Sequence, residues 1–307
     1  MNVLLFPGQG TQKVGMARDL AARFPAARDL LASLDDALGV PLTKVMWDGP
    51  EAELQQTVNT QPAILAHSAA VLAAIGSRLA PVAGAAGHSL GEYSAYLAAG
   101  ALSAVDAVRL VRHRGQLMQE AGEARPGAMA AVLGLESEKV VAACRDASTA
   151  EVVAVAANLN APDQTVISGD PEAVSRAGDG CKAAGAKRVM PLKVSGAFHS
   201  PLMAAAQAGL AAALAAVPLR DPRFPVVANV TGAPVTTATE ARRLLEAQLT
   251  APVQWVACVK ALAALNPEIR FVEVGPGTVL GGLVKRIVTD ASVISLGTAE
   301  ELEKFLG

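Results

Sequence analysis

The chain has 307 residues, 52% hydrophobic and 18% charged, with a formal net charge of −2. That suffices for one large domain or two ordinary ones with a substantial apolar core. The near-neutral balance, the lack of a long basic run and an aromatic content of only 3% argue against a nucleic acid partner. Three scattered cysteines, Cys144, Cys181 and Cys258, form no C-x-x-C pair. They read as buried free thiols of a reducing, cytoplasmic environment. The first seven residues lack the basic start and apolar core of a signal peptide. The most apolar long stretch, 64–86, is broken by His67, Ser68, Arg78 and Pro81. It reads as a buried helix followed by a strand, with no membrane span.

In chain order, residues 3–6 predict a short buried strand, ended by Pro7-Gly8-Gln9-Gly10. Helices are predicted over 14–24, 26–38 and 60–79. An apolar strand over 81–86 then runs into Gly87-His88-Ser89-Leu90-Gly91 and a helix over 92–99. Strand, G-x-S-x-G, helix is the context of a nucleophile elbow. The turn is so sharp that residues two before and two after the serine meet, and side chains there would collide. The bend lifts the hydroxyl clear of the sheet at a helix start, where backbone N–H groups can stabilise an oxyanion. The plainer alternative is a glycine-rich turn with an incidental serine. Ser103 is placed to cap a helix running to about 121.

The pattern changes at residues 122–127. Strands over 128–135, 152–157, 165–168 and 187–192 alternate with helices over 136–147 and 171–184. That is β-α-β-β-α-β, the order of a small ferredoxin-like unit. Further strands are predicted over 226–230, 269–274 and 293–296. The fold class is α/β, with a large domain (1–125 and 195–307) interrupted by a smaller α+β subdomain (126–194).

A serine hydroxyl needs a base, most often histidine, and the chain has four. His67 lies in an apolar helix. His88 adjoins Ser89 and is expected on the opposite face of an extended strand. His113 falls on the polar side of its helix, with Arg109, Arg112, Gln116 and Gln119. His199 remains, in the loop Ser195-Gly-Ala-Phe-His-Ser-Pro201, and loops on rigid scaffolds are where catalytic groups concentrate. On the same helix as His113, Arg114 projects into the apolar face. A buried guanidinium stays charged and needs an anionic partner. Periodicity leaves two partners open, a structural Asp or Glu and a substrate carboxylate.

These residues carry a resemblance. With Phe6-Pro-Gly-Gln-Gly10, Gly87-His-Ser-Leu-Gly-Glu92, Arg114-Gly-Gln-Leu-Met118, Asn158-Leu-Asn-Ala-Pro-Asp-Gln164, Gly196-Ala-Phe-His-Ser200, Asn229-Val-Thr-Gly232, Gln248-Leu-Thr-Ala-Pro-Val-Gln-Trp255 and Val274-Gly-Pro-Gly277 in this order, the chain resembles the malonyl-CoA:acyl carrier protein transacylases of fatty acid synthesis and the acyltransferase domains of polyketide synthases. The resemblance implies a hydrolase-like parallel-sheet core with a ferredoxin-like insert. It implies Ser89 as nucleophile, His199 as base, and Gln9 and Leu90 as backbone donors to the oxyanion. Arg114 would hold the malonyl carboxylate, and the Gln248 carbonyl would orient the histidine. Asn160 would lie near the cleft, with a turn residue as its equal alternative, and Phe198 fits malonyl selectivity. The implied substrates are malonyl-CoA and the phosphopantetheine thiol of an acyl carrier protein. No tightly bound cofactor or metal is implied, and the histidines and cysteines lack metal-ligand spacing. Arg188, Lys193 and Lys285 are candidates for a basic surface facing the carrier. A free-standing polyketide synthase acyltransferase and a serine thioesterase or esterase are the alternative activities.

Overall fold

Strand β1 (Asn2–Phe6) is buried at every position, as a strand covered on both faces must be. The structure, a computed structural model, describes residues 1–266 and 268–307. After β1 come β2 (Val82–Gly87), β3 (Ala128–Leu133), β4 (Ala154–Ala161), β5 (Gln164–Gly169), β6 (Arg188–Pro191), β7 (Val226–Val227), β8 (Pro234–Val235), β9 (Arg270–Val274) and β10 (Ser292–Leu296). They form two sheets. The larger has the order β10-β9-β1-β2-β7-β8, and its first five strands pair in parallel. The chain leaves β1 for β2 on one side and later returns to β9 on the other. The reversal falls between β1 and β9, and the loops that follow β1 and β2 lie at the same carboxyl edge, the usual ligand side of such sheets.

The smaller sheet has the order β4-β5-β3-β6 and is antiparallel throughout. Alternation along β3 explains how it sits. Ala130 and Val132 face a core shared with Cys144 and Cys181 on helices Ser137–Ala147 and Pro171–Ala183. Met129 and Ala131 face the other way, into the main core. The outgoing and returning connections of this unit run side by side. A Cβ on Gly122 would lie 2.0 Å from the Ser195 carbonyl oxygen, and one on Gly127 would lie 2.4 Å from the Ala197 Cβ.

Among the described residues one helical stretch, Thr57–Leu79, is long and apolar enough to cross a membrane. Its helix Thr57–Ile75 is buried along most of its length inside this fold. All three cysteines are free and buried.

Three local expectations need correction. The helix predicted from residue 14 begins only at Arg18, because Ala17 takes a left-handed φ of 60°. Strand β4 runs on to Ala161, past its predicted end at 157. Irregular register at 156–158 and 159–161 breaks the period-two pattern that would have marked it. Its end is held by the larger unit, with Leu159 N–H donating to the Val253 carbonyl at 2.9 Å and Val253 N–H to that of Ala157 at 2.8 Å. Strand β7 is two residues long, and Asn229 already stands in the turn beyond it.

Candidate active site

The elbow follows from its glycines. A Cβ on Gly87 would lie 1.8 Å from the carbonyl carbon of Gly91, and one on Gly91 would lie 2.2 Å from the Phe6 carbonyl oxygen. Neither contact is possible, so both positions require glycine. Ser89 between them has φ 54°, a strained region for a non-glycine residue. The turn is clamped from outside: Ser89 N–H donates to Asn229 Oδ1 at 2.7 Å, and Asn229 Nδ2 donates to the Gly87 carbonyl at 2.7 Å. Leu90 caps helix Gly91–Ala98, where first-turn N–H groups lack intrahelical partners.

His199 also has a left-handed backbone, φ 56°. Its loop is pinned by Ser200 Oγ, which donates to the Ala197 carbonyl at 2.7 Å. The ring is 3% exposed. Its Nδ1 lies 2.9 Å from the Gln248 carbonyl oxygen, and its Nε2 lies 2.7 Å from Ser89 Oγ. A carbonyl only accepts, so Nδ1 carries the proton and Nε2 turns a lone pair to the serine hydroxyl. Burial, and secondarily the charge of Arg114, lower the imidazole pKa to about 3. The ring is therefore a neutral acceptor at ordinary pH.

Arg114 is wholly buried on helix Ala104–Ala124. Nη1 donates to Gln61 Oε1 at 2.6 Å, and Nη2 donates to Gln248 Oε1 at 2.9 Å and to Ser89 Oγ at 3.1 Å. The guanidinium carbon lies 5.6 Å from the centroid of the Tyr93 ring, a cation–π contact. Among the described residues no ion pair involves Arg114. Of the two partners left open by periodicity, a structural carboxylate bonded to Arg114 is not found among those residues. Arg109 and His113 on the other face are exposed, as expected, and Arg112 is half-buried, donating to the Val58 carbonyl at 3.1 Å.

A cleft of about 380 Å³ joins these groups. Ser89, His199, Arg114, Gln9, Leu90 and Phe198 all line it. Met129, Ala131, Asn160 and Val166 of the smaller sheet close its other side. Phe198 is 7% exposed. Asn160 lies inside β4, which removes the turn alternative, and its Oδ1 meets His88 Nε2 at 2.8 Å. His88 needs a correction too. It was expected to face away from Ser89 but lines the same cleft, its ring 5.4 Å from Trp255. Its Nε2 is engaged by Asn160 and not by the serine. His67 is buried, with Nε2 2.8 Å from the Gly297 carbonyl oxygen. It lines a separate cavity of about 530 Å³. Arg188, Lys193 and Lys285 are exposed. Among the described residues, no group of three or more His, Cys, Asp or Glu side chains is placed to hold a metal ion.

The arrangement can activate a hydroxyl, stabilise charge beside it and present a guanidinium to an anionic group. Sequence reasoning assigned no role to Asn229, Gln61 or Glu92, although the first and last sit in motifs it singled out. Glu92 is wholly buried one residue past the elbow.

The acyl transferase domain family matches residues 3–300. The chain belongs to this acyl transferase family. Among acyl transferase relatives, the malonyl CoA-acyl carrier protein transacylase of Escherichia coli (strain K12) is 46% identical over 294 residues, covering 95% of this chain and 94% of that protein. An acyl carrier protein S-malonyltransferase from Vibrio cholerae superposes with a TM-score of 0.92 at 41% identity, covering 98% of both chains. A malonyl-transacylase solved in complex with its type II PKS acyl carrier protein gives a TM-score of 0.93 at 41% identity, covering 99% of this chain and 98% of that one.

Proposed function

We propose that the protein transfers a malonyl group from malonyl-CoA to the phosphopantetheine thiol of an acyl carrier protein, in fatty acid biosynthesis, through a malonyl-serine intermediate. The carrying observation is Arg114, a buried guanidinium with no carboxylate bonded to it among the described residues, whose Nη2 lies 3.1 Å from Ser89 Oγ. A site with a nucleophile and an anion receptor in hydrogen-bond reach of each other fits an acyl group that ends in a carboxylate. The names of its relatives supply the same substrate pair.

In the first half-reaction Ser89 Oγ attacks the thioester carbon while His199 Nε2 takes the hydroxyl proton. The negative charge moves to the carbonyl oxygen, where the backbone N–H groups of Gln9 and Leu90 receive it. The carbon–sulfur bond then breaks, and His199 returns the proton to the sulfur of CoA. In the second half-reaction the pantetheine thiol gives its proton to His199, its sulfur attacks the malonyl ester, and Ser89 leaves with the proton. The Gln248 carbonyl holds the imidazole in the required tautomer throughout. Phe198 packs beside the acyl chain and Asn160 braces His88 across the cleft. The pantetheine belongs to the substrates, so the reading calls for no tightly bound cofactor or metal, and for no nucleic acid or membrane partner. It places the enzyme in the cytoplasm.

We read residues 126–194 as the inserted ferredoxin-like subdomain and residues 1–125 with 195–307 as the hydrolase-like domain. The strand order β4-β5-β3-β6 and the two helices on one face support the first part. Arg188, Lys193 and Lys285 are assigned to the basic rim that meets the carrier. Leu192, beside Lys193, and Val279, on the helix that carries Lys285, both line the cleft.

The test is incubation with malonyl-CoA, with and without holo acyl carrier protein. Malonyl-carrier and a malonyl adduct on Ser89 are expected, and Ser89→Ala should abolish both while remaining folded. Rapid free malonate independent of carrier would make it a hydrolase, and an adduct persisting in Ser89→Ala would overturn the nucleophile. A second reading, supply of a polyketide synthase carrier, is favoured by the type II PKS complex among the structural relatives. Relative rates with fatty acid and polyketide carriers separate the two.

A further inference from the structure

Gln248 does two things at once. Its backbone carbonyl receives His199 Nδ1, and its side-chain oxygen receives Arg114 Nη2. The second depends on which way the amide is turned, because the opposite turn would point an NH2 donor at a guanidinium that can only donate. The amide nitrogen settles the turn. Gln248 Nε2 donates to Glu92 Oε2 at 2.7 Å and to the Ser89 carbonyl at 3.1 Å. The Ser89 carbonyl can only accept, and Glu92 Oε2 accepts the Asn229 N–H as well, so both call for the NH2 end.

Glu92 is an unusual residue to find there. It is wholly buried on the elbow helix, and burial raises its pKa to about 7. Its Oε2 also accepts the Asn229 N–H at 3.1 Å, while its Oε1 has no hydrogen-bond partner among the described residues. A buried carboxylate with one bare oxygen is costly unless its charge is used. No arginine or lysine pairs with it directly among the described residues. The charge of Arg114 acts on it, and the Gln248 amide is bonded to both.

We propose that Glu92 is a positioning residue that sets malonyl specificity: it fixes the Gln248 amide so that an acceptor oxygen faces Arg114 and holds the guanidinium beside Ser89, ready for a carboxylate. The inference rests on the malonyl-transfer reading above. Glu92 acts through Gln248 and does not touch the acyl group.

The experiment compares kcat/KM for malonyl-CoA and acetyl-CoA. Glu92→Gln keeps the shape and the acceptor oxygen held by Asn229 N–H but removes the charge, so the Gln248 amide is gripped less firmly and the malonyl-to-acetyl ratio is expected to fall about tenfold, the size of one charged hydrogen bond. Glu92→Asp, which keeps the carboxylate, should recover part of the ratio. Gln248→Met should lower the ratio as well, and adding Glu92→Gln to it should lower the ratio no further. The Glu92→Asp and Gln248→Met arms hold even if Glu92→Gln fails to fold. An unchanged or raised ratio, an equal fall for both acyl groups, or additive effects in the double variant would overturn the proposal. Failure of the wild-type protein to transfer malonyl would instead overturn the functional reading.

Discussion

Arg114 spends a full positive charge inside the protein on three neutral acceptors: two glutamine oxygens and a serine hydroxyl. Neutral acceptors leave a guanidinium underused, so an arriving carboxylate replaces weak partners with a strong one. Arg114→Ala is therefore expected to lower malonyl transfer by about tenfold to a hundredfold, from about 1.5–3 kcal/mol for a charged hydrogen bond, and to lower acetyl transfer less. Steady-state kinetics with both thioesters check this, and equal losses would make the arginine structural. The position of Arg114 was legible from helical periodicity, because it stands on the wrong face. Its surroundings were not. Gln61, Glu92 and Asn229 are polar residues buried by tertiary contacts, and no local period distinguishes them from ordinary loop or helix-surface residues.

At the level of elements, the elbow was the most legible part of the chain because its demand is local. Two glycines four apart are needed whatever surrounds them. What the sequence hid is that Gly91 also faces β1: a Cβ there would press on the Phe6 carbonyl oxygen at 2.2 Å. Backbone cannot yield as a side-chain tip can. Gly91→Ala is expected to cost about 1–3 kcal/mol of stability and to displace Ser89 enough to cut acylation about a hundredfold. A melting curve and the yield of malonyl adduct measure the two effects, and a fully active Gly91→Ala would contradict the packing. The end of β4 was illegible for a related reason. Its last residues are held by Val253, nearly a hundred residues later, and a period-two pattern carries no trace of such a partner.

For the whole molecule, buried histidines and buried glutamates set opposing pH trends. Burial lowers His199 to about 3 and His67 to about 4. Their folded values lie below the unfolded value of 6.5, so the stability they contribute is complete above that pH and is lost as pH falls toward 4 and 3. Burial raises Glu92 and Glu273 from 4.5 to about 7. Their contribution is complete below 4.5 and is lost as pH rises through about 7. Burial lowers His88 as well, so three histidines stand against two glutamates between those limits. The melting temperature is expected to fall only gently from about pH 6.5 to about pH 4.5 and more steeply below that window, where the glutamates no longer offset the histidines. A steep decline already beginning near pH 6.5 would mean that the glutamates are not raised.

The side-by-side connections at Gly122, Gly127 and Ser195–Ala197 make the smaller sheet an appendage with adjoining ends. Excising it leaves a gap that a very short splice could bridge, and a counterpart from a relative could be grafted between the same two points. The graft would arrive with its own wall for the cleft, through the positions now held by Met129, Ala131, Asn160 and Val166. Serine, histidine and arginine would remain with the host. On the proposed reading, chemistry and the shape of the acyl chamber are thus inherited through separate stretches of the gene, exchangeable at a seam that ends two residues before His199.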